Sequence, residues 1–154
     1  MQLNIVLYKP EIPQNTGAIG RLCVGLQAKL HLIKPLGFNL DEKKLRRAGM
    51  DYWQHVDLAI HNDWQDFINQ ENPKHIFLTT ANTNTAYFDI TYPKNSYIIF
   101  GSESVGLPKD LQNQLSDKLI TIPMPGHFGR SHNIANAASV IAYEIYRQSV
   151  KIDF

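Results

Sequence analysis

Short runs of branched and aromatic residues alternate along this chain with stretches of helical periodicity, and that alternation leaves few architectures open. The strand candidates are Leu3 to Tyr8, Lys29 to Ile33, His75 to Thr79, Tyr97 to Phe100 and Leu119 to Ile122. Between and after them lie helical candidates at Thr16 to Gln27, Glu42 to Arg47, Trp64 to Gln70, Lys109 to Leu115 and Ile134 to Gln148. In the last of these, Ile134, Ala138, Ile141, Ala142 and Ile145 fall on one apolar stripe. Strands joined through helices form parallel sheets, because a parallel pair needs a long crossover that a helix supplies. The expectation is an α/β fold, a mostly parallel sheet flanked by helices. The 154 residues fit one domain, 1–154, with no repeat or linker to divide it.

Apolar residues make up 44% of the chain, enough for a real core. Fifteen basic residues nearly balance fourteen acidic ones, so any nucleic-acid site has to be a local patch. Cys23 is the only cysteine. It cannot form an intramolecular disulfide, which fits a reducing, cytoplasmic setting, and its place in an amphipathic helix reads as a buried thiol rather than a nucleophile. The chain shows no basic leader and nothing near the ~18 continuous apolar residues of a membrane span, so neither secretion nor a membrane is expected.

Several catalytic patterns are excluded. Gly17 and Gly20 open a helix without the spacing that brings a backbone against a pyrophosphate. The segment from Gly101 to Gly106 begins like a phosphate-binding loop but continues into Leu107 and Pro108 instead of Lys and Ser/Thr. The serine-hydrolase elbow is absent. His127 and His132 lie near each other without a zinc-type helix motif or a cysteine cluster, so no metal is expected.

Three polar, loop-forming segments remain, each at the end of a strand candidate: Pro13 to Arg21, Phe100 to Pro108 and Ile122 to Asn133. Ligands of open α/β sheets bind beyond the carboxyl ends of strands, which places all three at one crevice. Their order, with Asn15, Gly17 and Arg21 first, then Phe-Gly-Ser-Glu-Ser-Val-Gly-Leu-Pro, then Ile-Pro-Met with Ser131 and Asn133 ahead of a long helix, resembles the three motifs of the SPOUT methyltransferases. The opening Ile5 to Gly17 and the segment Leu45 to Tyr52 are similar to the subfamily that methylates the ribose 2′-hydroxyl of the tRNA wobble cytidine or uridine. The resemblance runs from Asn4 to Gln148.

This resemblance implies a C-terminal trefoil knot, S-adenosyl-L-methionine as cofactor, a homodimer, and the anticodon stem-loop of tRNA as substrate. Carried onto matching positions, it implies a cofactor site made by Leu78, Gly101, Ile122, Met124 and Ser131, with Glu103 and Asn133 shaping the loops. Arg21 is implied to handle substrate, and Tyr143 to lie near the reaction centre. Asn15 is expected to cap or orient the first helix. Lys43, Lys44, Arg46 and Arg47, with nearby aromatics, and Arg130 are the expected RNA contacts. The third motif departs from the family pattern at His132 and Ala135, and the threonine pair Thr79 and Thr80 lacks a following lysine. These differences leave open methylation at another tRNA or rRNA site, and a knotted RNA-binding protein without catalysis.

Overall fold

A computed structural model describes residues 2–41, 51–129 and 131–150. Six parallel strands form one sheet: β1 (Leu3–Tyr8), β2 (Lys29–Ile33), β3 (Asp57–His61), β4 (His75–Thr79), β5 (Ser96–Phe100) and β6 (Leu119–Ile120). Their spatial order is β3-β2-β1-β5-β4-β6. Among the described residues the α-helices are α1 (Pro13–Leu26), α2 (Trp64–Glu71), α3 (Lys109–Gln114) and α4 (Ile134–Ser149). The α/β expectation is met, while the helix expected over Glu42 to Arg47 lies outside the described residues.

The strands are apolar almost throughout because the sheet is covered on both faces. On β1, Leu3, Ile5 and Leu7 join the core under α1 and α4, with Ile19, Cys23, Ile141 and Ala142. Val6 faces the other way, into a core with Phe67 of α2 and Leu111 of α3. Four of the five stripe residues predicted on α4 are buried; Ile134 is half-buried and turns toward the cavity described below.

Beyond a one-residue shift at the start of β5, two strands differ from expectation for physical reasons. β3 escaped the sequence reading because Asp57-Leu-Ala-Ile-His61 sits at the sheet edge, with two of its five residues exposed. Such an edge strand has no sustained run of branched residues to mark it. β6 stops at Ile120 instead of Ile122, because Thr121 leaves the β4 ladder to pair with Ala86, and Ile122 lines the cavity.

Helix ends follow local chemistry. α1 begins three residues before the expected Thr16, at Pro13, whose fixed φ suits the first helical position. Asp63 caps α2 by accepting from the Asp66 amide at 2.7 Å. Helix α1 lies so close to the Asp51–His55 turn that a Cβ on Gly20 would stand 2.6 Å from the Trp53 ring.

Ile19 is fully buried between α1 and the sheet. Ile19→Ala is expected to lower unfolding stability by about 2 to 5 kcal/mol, read as a lower denaturant midpoint at unchanged slope.

Candidate functional site

Strand order reverses direction between β1 and β5, and the loops leaving those two strands open a crevice at the switch point. A cavity of about 560 Å³ lies there, bounded by the segments after β1, β4, β5 and β6 and by the start of α4. Its size falls in the range of small-molecule and cofactor sites.

The three polar segments are tied together by one carboxylate. Glu103 accepts the backbone N–H of Glu11 at 2.8 Å through Oε2 and that of Ile12 at 3.2 Å through Oε1. Oε1 also lies 3.4 Å from the Asn15 amide nitrogen, which donates to it. Asn15 Oδ1 in turn accepts from Asn133 Nδ2 at 3.0 Å. The relay Glu103, Asn15, Asn133 therefore joins the first, second and third loops. A reciprocal contact reinforces it: Glu11 Oε1 accepts from the Ser104 hydroxyl at 2.6 Å and the Ser104 amide at 3.2 Å. These bonds hold the Glu11 carboxyl below its ordinary pKa, the Ser104 hydroxyl contributing most.

The same groups serve the helices. No acidic residue lies in the first turn of α1, and Ile12 at its N-cap offers no side-chain acceptor. Glu103 supplies the negative charge from another loop, against the positive end of the helix dipole. Asn15 is thus not the cap that the sequence suggested; it stands inside the first turn, and its side chain links loops. Asn133 does cap α4, accepting from the Ala135 and Asn136 amides at 2.9 and 3.3 Å.

The cavity walls combine apolar and polar surface. Ile122, Met124 and Ile141 supply apolar area, and Gly101, Ser131 and Asn133 lie along the rim or floor. The loop after β5 folds back on itself, with the Gly106 amide donating to Ser102 O at 2.8 Å. Gly106 takes a positive φ of 75°, and a Cβ on Gly101 would come 2.2 Å from the Gly106 carbonyl carbon. Only glycine fits at 101 in this loop.

The side chain of Leu78 is fully buried in the core with Phe67 and Ile99, whereas Thr79, the next residue, lines the cavity. Alternation along β4 explains this, since neighbouring residues face opposite ways. Thr80 and Gln112 were not anticipated. Thr80 Oγ1 donates to Gln112 Oε1 at 2.9 Å, and Gln112 Nε2 donates to Leu107 O at 2.9 Å, so α3 braces both loops. The paired threonines ending β4 were the available signal. His132 also lines the cavity.

Arg21 and Tyr143 are absent from the cavity wall. Arg21 is exposed on α1, its guanidinium carbon 5.9 Å from the Tyr52 ring centroid. Tyr52 is itself fixed by donating to Gly17 O at 2.7 Å. Tyr143 is 56% exposed on α4, edge-on to Tyr146. Lys43, Lys44, Arg46, Arg47 and Arg130 lie outside the described residues. Cys23 is fully buried, and desolvation pushes its thiol up to about 12, which leaves no thiolate for nucleophilic chemistry.

Because its Cβ would collide with backbone, Gly101→Ala is expected to weaken binding of S-adenosylmethionine, the cofactor that the sequence resemblance implies, by about tenfold or more, equal to ~1.4 kcal/mol. Calorimetric titration measures this, with circular dichroism to verify the fold.

Comparison with known proteins converges on one family. Residues 2–143 match the model of the SpoU rRNA Methylase family. The tRNA (cytidine(34)-2′-O)-methyltransferase of Escherichia coli (strain K12) is 44% identical over 147 residues, covering 95% of this chain and 93% of that protein. A solved structure described as "Structural insights into the 2-OH methylation of C/U34 on tRNA" superposes with a TM-score of 0.87 at 42% identity, covering 96% of each chain. The AdoMet-bound rRNA methyltransferase of Sinorhizobium meliloti shares the fold, with a TM-score of 0.83 at 23% identity over 97% of this chain and 57% of that one. With a six-stranded parallel sheet and three loops closing one cavity, matched along nearly its whole length, this chain belongs to the SpoU methylase family.

Proposed function

We propose that this protein transfers a methyl group from S-adenosylmethionine to the ribose 2′-hydroxyl of the wobble nucleotide, cytidine or uridine 34, in tRNA. The observation that carries this reading is the cavity pinned by Glu103, Asn15 and Asn133, in a chain spanning 93% of the length of a tRNA (cytidine(34)-2′-O)-methyltransferase relative at 44% identity.

The residues present suit the cofactor. Ile122 and Met124 offer apolar surface for an adenine ring, Ser131 a hydroxyl, and Gly101 a loop with no Cβ to obstruct close backbone approach. In the proposed site these residues hold S-adenosylmethionine, while Glu103 and Asn133 fix the loops around it. When bound, the cofactor supplies an electrophilic methyl group on a sulfonium. The protein's task is then chiefly positional: to hold the ribose oxygen in line with that methyl at about 3 to 3.5 Å and to exclude water.

Arg21 is proposed to grip the substrate. A guanidinium stays protonated, with a pKa above ~12, so Arg21 cannot accept the hydroxyl proton. Its fork of donors can instead hold a phosphate or stabilise developing charge on the ribose oxygen. Tyr143 is proposed to stand near the same nucleotide.

Both residues project from the α1 and α4 layer without lining their own protomer's cavity. Around them, Val140 and Tyr146 leave apolar surface exposed on α4. This arrangement supports a homodimer in which Arg21 of one protomer serves the cavity of the other. Lys43, Lys44, Arg46, Arg47 and Arg130 are the proposed phosphate contacts, and the trefoil knot is the proposed path of the chain into α4. Among the described residues no helix is long and apolar enough to cross a membrane.

Mass spectrometry of nuclease-digested tRNA from cells lacking the wobble methyl group is expected to show a new 2′-O-methylated cytidine or uridine at position 34, after incubation with protein and S-adenosylmethionine. Methylation elsewhere, or none, contradicts the assignment. Arg21→Ala is expected to lower kcat by about 100-fold or more with cofactor affinity unchanged. In dimers mixing Arg21→Ala with Gly101→Ala protomers, one composite site keeps both intact residues, and partial activity is expected to return.

A further inference from the structure

On the sheet face opposite α1 and α4, a buried polar cluster stands apart from the methyl-transfer cavity; none of its members lines that cavity. His31 of β2 and His61 of β3 have fully buried side chains, and Glu71, at the end of α2, reaches them with its carboxylate 16% exposed. His31 Nδ1 lies 3.1 Å from His61 Nε2 and 3.7 Å from Glu71 Oε1, and His61 Nε2 lies 3.9 Å from the same oxygen. A point equidistant from these three atoms is about 2.1 Å from each, the length of a zinc bond to an imidazole nitrogen or carboxylate oxygen.

The surroundings orient the donors inward. Asn4 Nδ2 donates to Asn95 Oδ1 at 2.9 Å and faces Ser96 O at 3.5 Å, so Asn4 Oδ1 is the acceptor that meets His31 Nε2 at 3.1 Å. That contact puts the His31 proton on Nε2 and leaves the Nδ1 lone pair aimed into the cluster. Without an ion, His61 has to donate from Nε2 to His31, which leaves its buried Nδ1 with no hydrogen-bond partner among the described residues. Coordination through Nε2 moves the His61 proton to Nδ1, on a ring that both the Asp66 carboxylate and the Gln70 side chain act on.

We propose that His31, His61 and Glu71 bind one divalent transition-metal ion of the zinc type, with water as the fourth ligand. The ion clips edge strand β3 and the end of α2 to β2, a structural role separate from methyl transfer. Burial keeps both imidazoles neutral, the form that ligates, by lowering their pKa values. Lys29 Nζ, 3.2 Å from Glu71 Oε1, holds that carboxylate in the metal-free protein and competes with the ion for it. Tyr97 donates to the other oxygen, Oε2, at 3.3 Å. The spacing of 31, 61 and 71 matches no short metal motif, so no local pattern marks it.

The test uses the full-length protein stripped with a chelator and titrated with Co²⁺, then with Zn²⁺ in competition. One ion per chain is expected, with the strong visible bands of four-coordinate cobalt, and zinc is expected to raise the melting temperature. Glu71→Gln, at a partly exposed position, and His61→Gln are each expected to weaken binding more than about tenfold and to abolish the zinc-induced stabilisation. Lys29→Met is expected to bind cobalt more tightly, and His127→Ala to bind it unchanged. No stoichiometric binding by the wild-type chain, only the faint bands of six-coordinate cobalt, or undiminished binding in Glu71→Gln would each overturn the proposal.

Discussion

The carboxylate of Glu103 is the contact on which the functional end of this protein depends. It belongs to the loop after β5, yet it satisfies backbone donors at the start of α1 and holds the Asn15 side chain, which holds Asn133 at the start of α4. A charged acceptor taking several N–H donors makes stronger bonds than neutral pairs do. Here the bonds bring together segments some 90 and 118 residues apart in sequence. Each loop alone has the polar, turn-rich character of a mobile connection. Joined, they become the walls of one cavity, and two helices acquire their N-terminal partners from the same network.

The sheet sets where this happens. All six strands are parallel, so their carboxyl ends lie along one edge, and the reversal of strand order between β1 and β5 opens a gap that α1 and the 101–107 loop enter from either side. The two faces then divide the work. One carries α1, α4 and the exposed residues Arg21 and Tyr143; the other packs Phe67 against His31, His61 and Tyr97 beneath α2. Buried imidazoles within an otherwise apolar layer require partners; Asn4 meets His31 Nε2 and the two rings meet each other, while His61 Nδ1 has no hydrogen-bond partner among the described residues.

Much of this was legible in the sequence because its signals were local or segmental. β1, β2 and β4 occupy the residues that their branched and aromatic composition marked, and the α4 stripe placed Ala138, Ile141, Ala142 and Ile145 in the core. The three loop segments were recognisable by residue type and order, and Gly101, Ile122, Met124, Ser131 and Asn133 do meet at one cavity. Long-range information was not legible. Nothing local marks Asn15 as a linker instead of a cap, or Gln112 as a brace. The pairing of His31 with His61 depends on strand register, with β2 set beside β3 so that the two residues lie near each other across the ladder. Edge strand β3, half exposed and led by Asp57, carried too little apolar pattern to be read at all.

The central claim is that the Glu103 relay builds the cofactor cavity. Calorimetric titration of S-adenosylmethionine into the wild-type protein and into Glu103→Gln tests it most directly. The substitution keeps size but removes the charge and one of the two carboxylate acceptors. Cofactor affinity is predicted to fall about tenfold or more while the melting transition remains cooperative. Equal affinity in the two proteins would contradict the account.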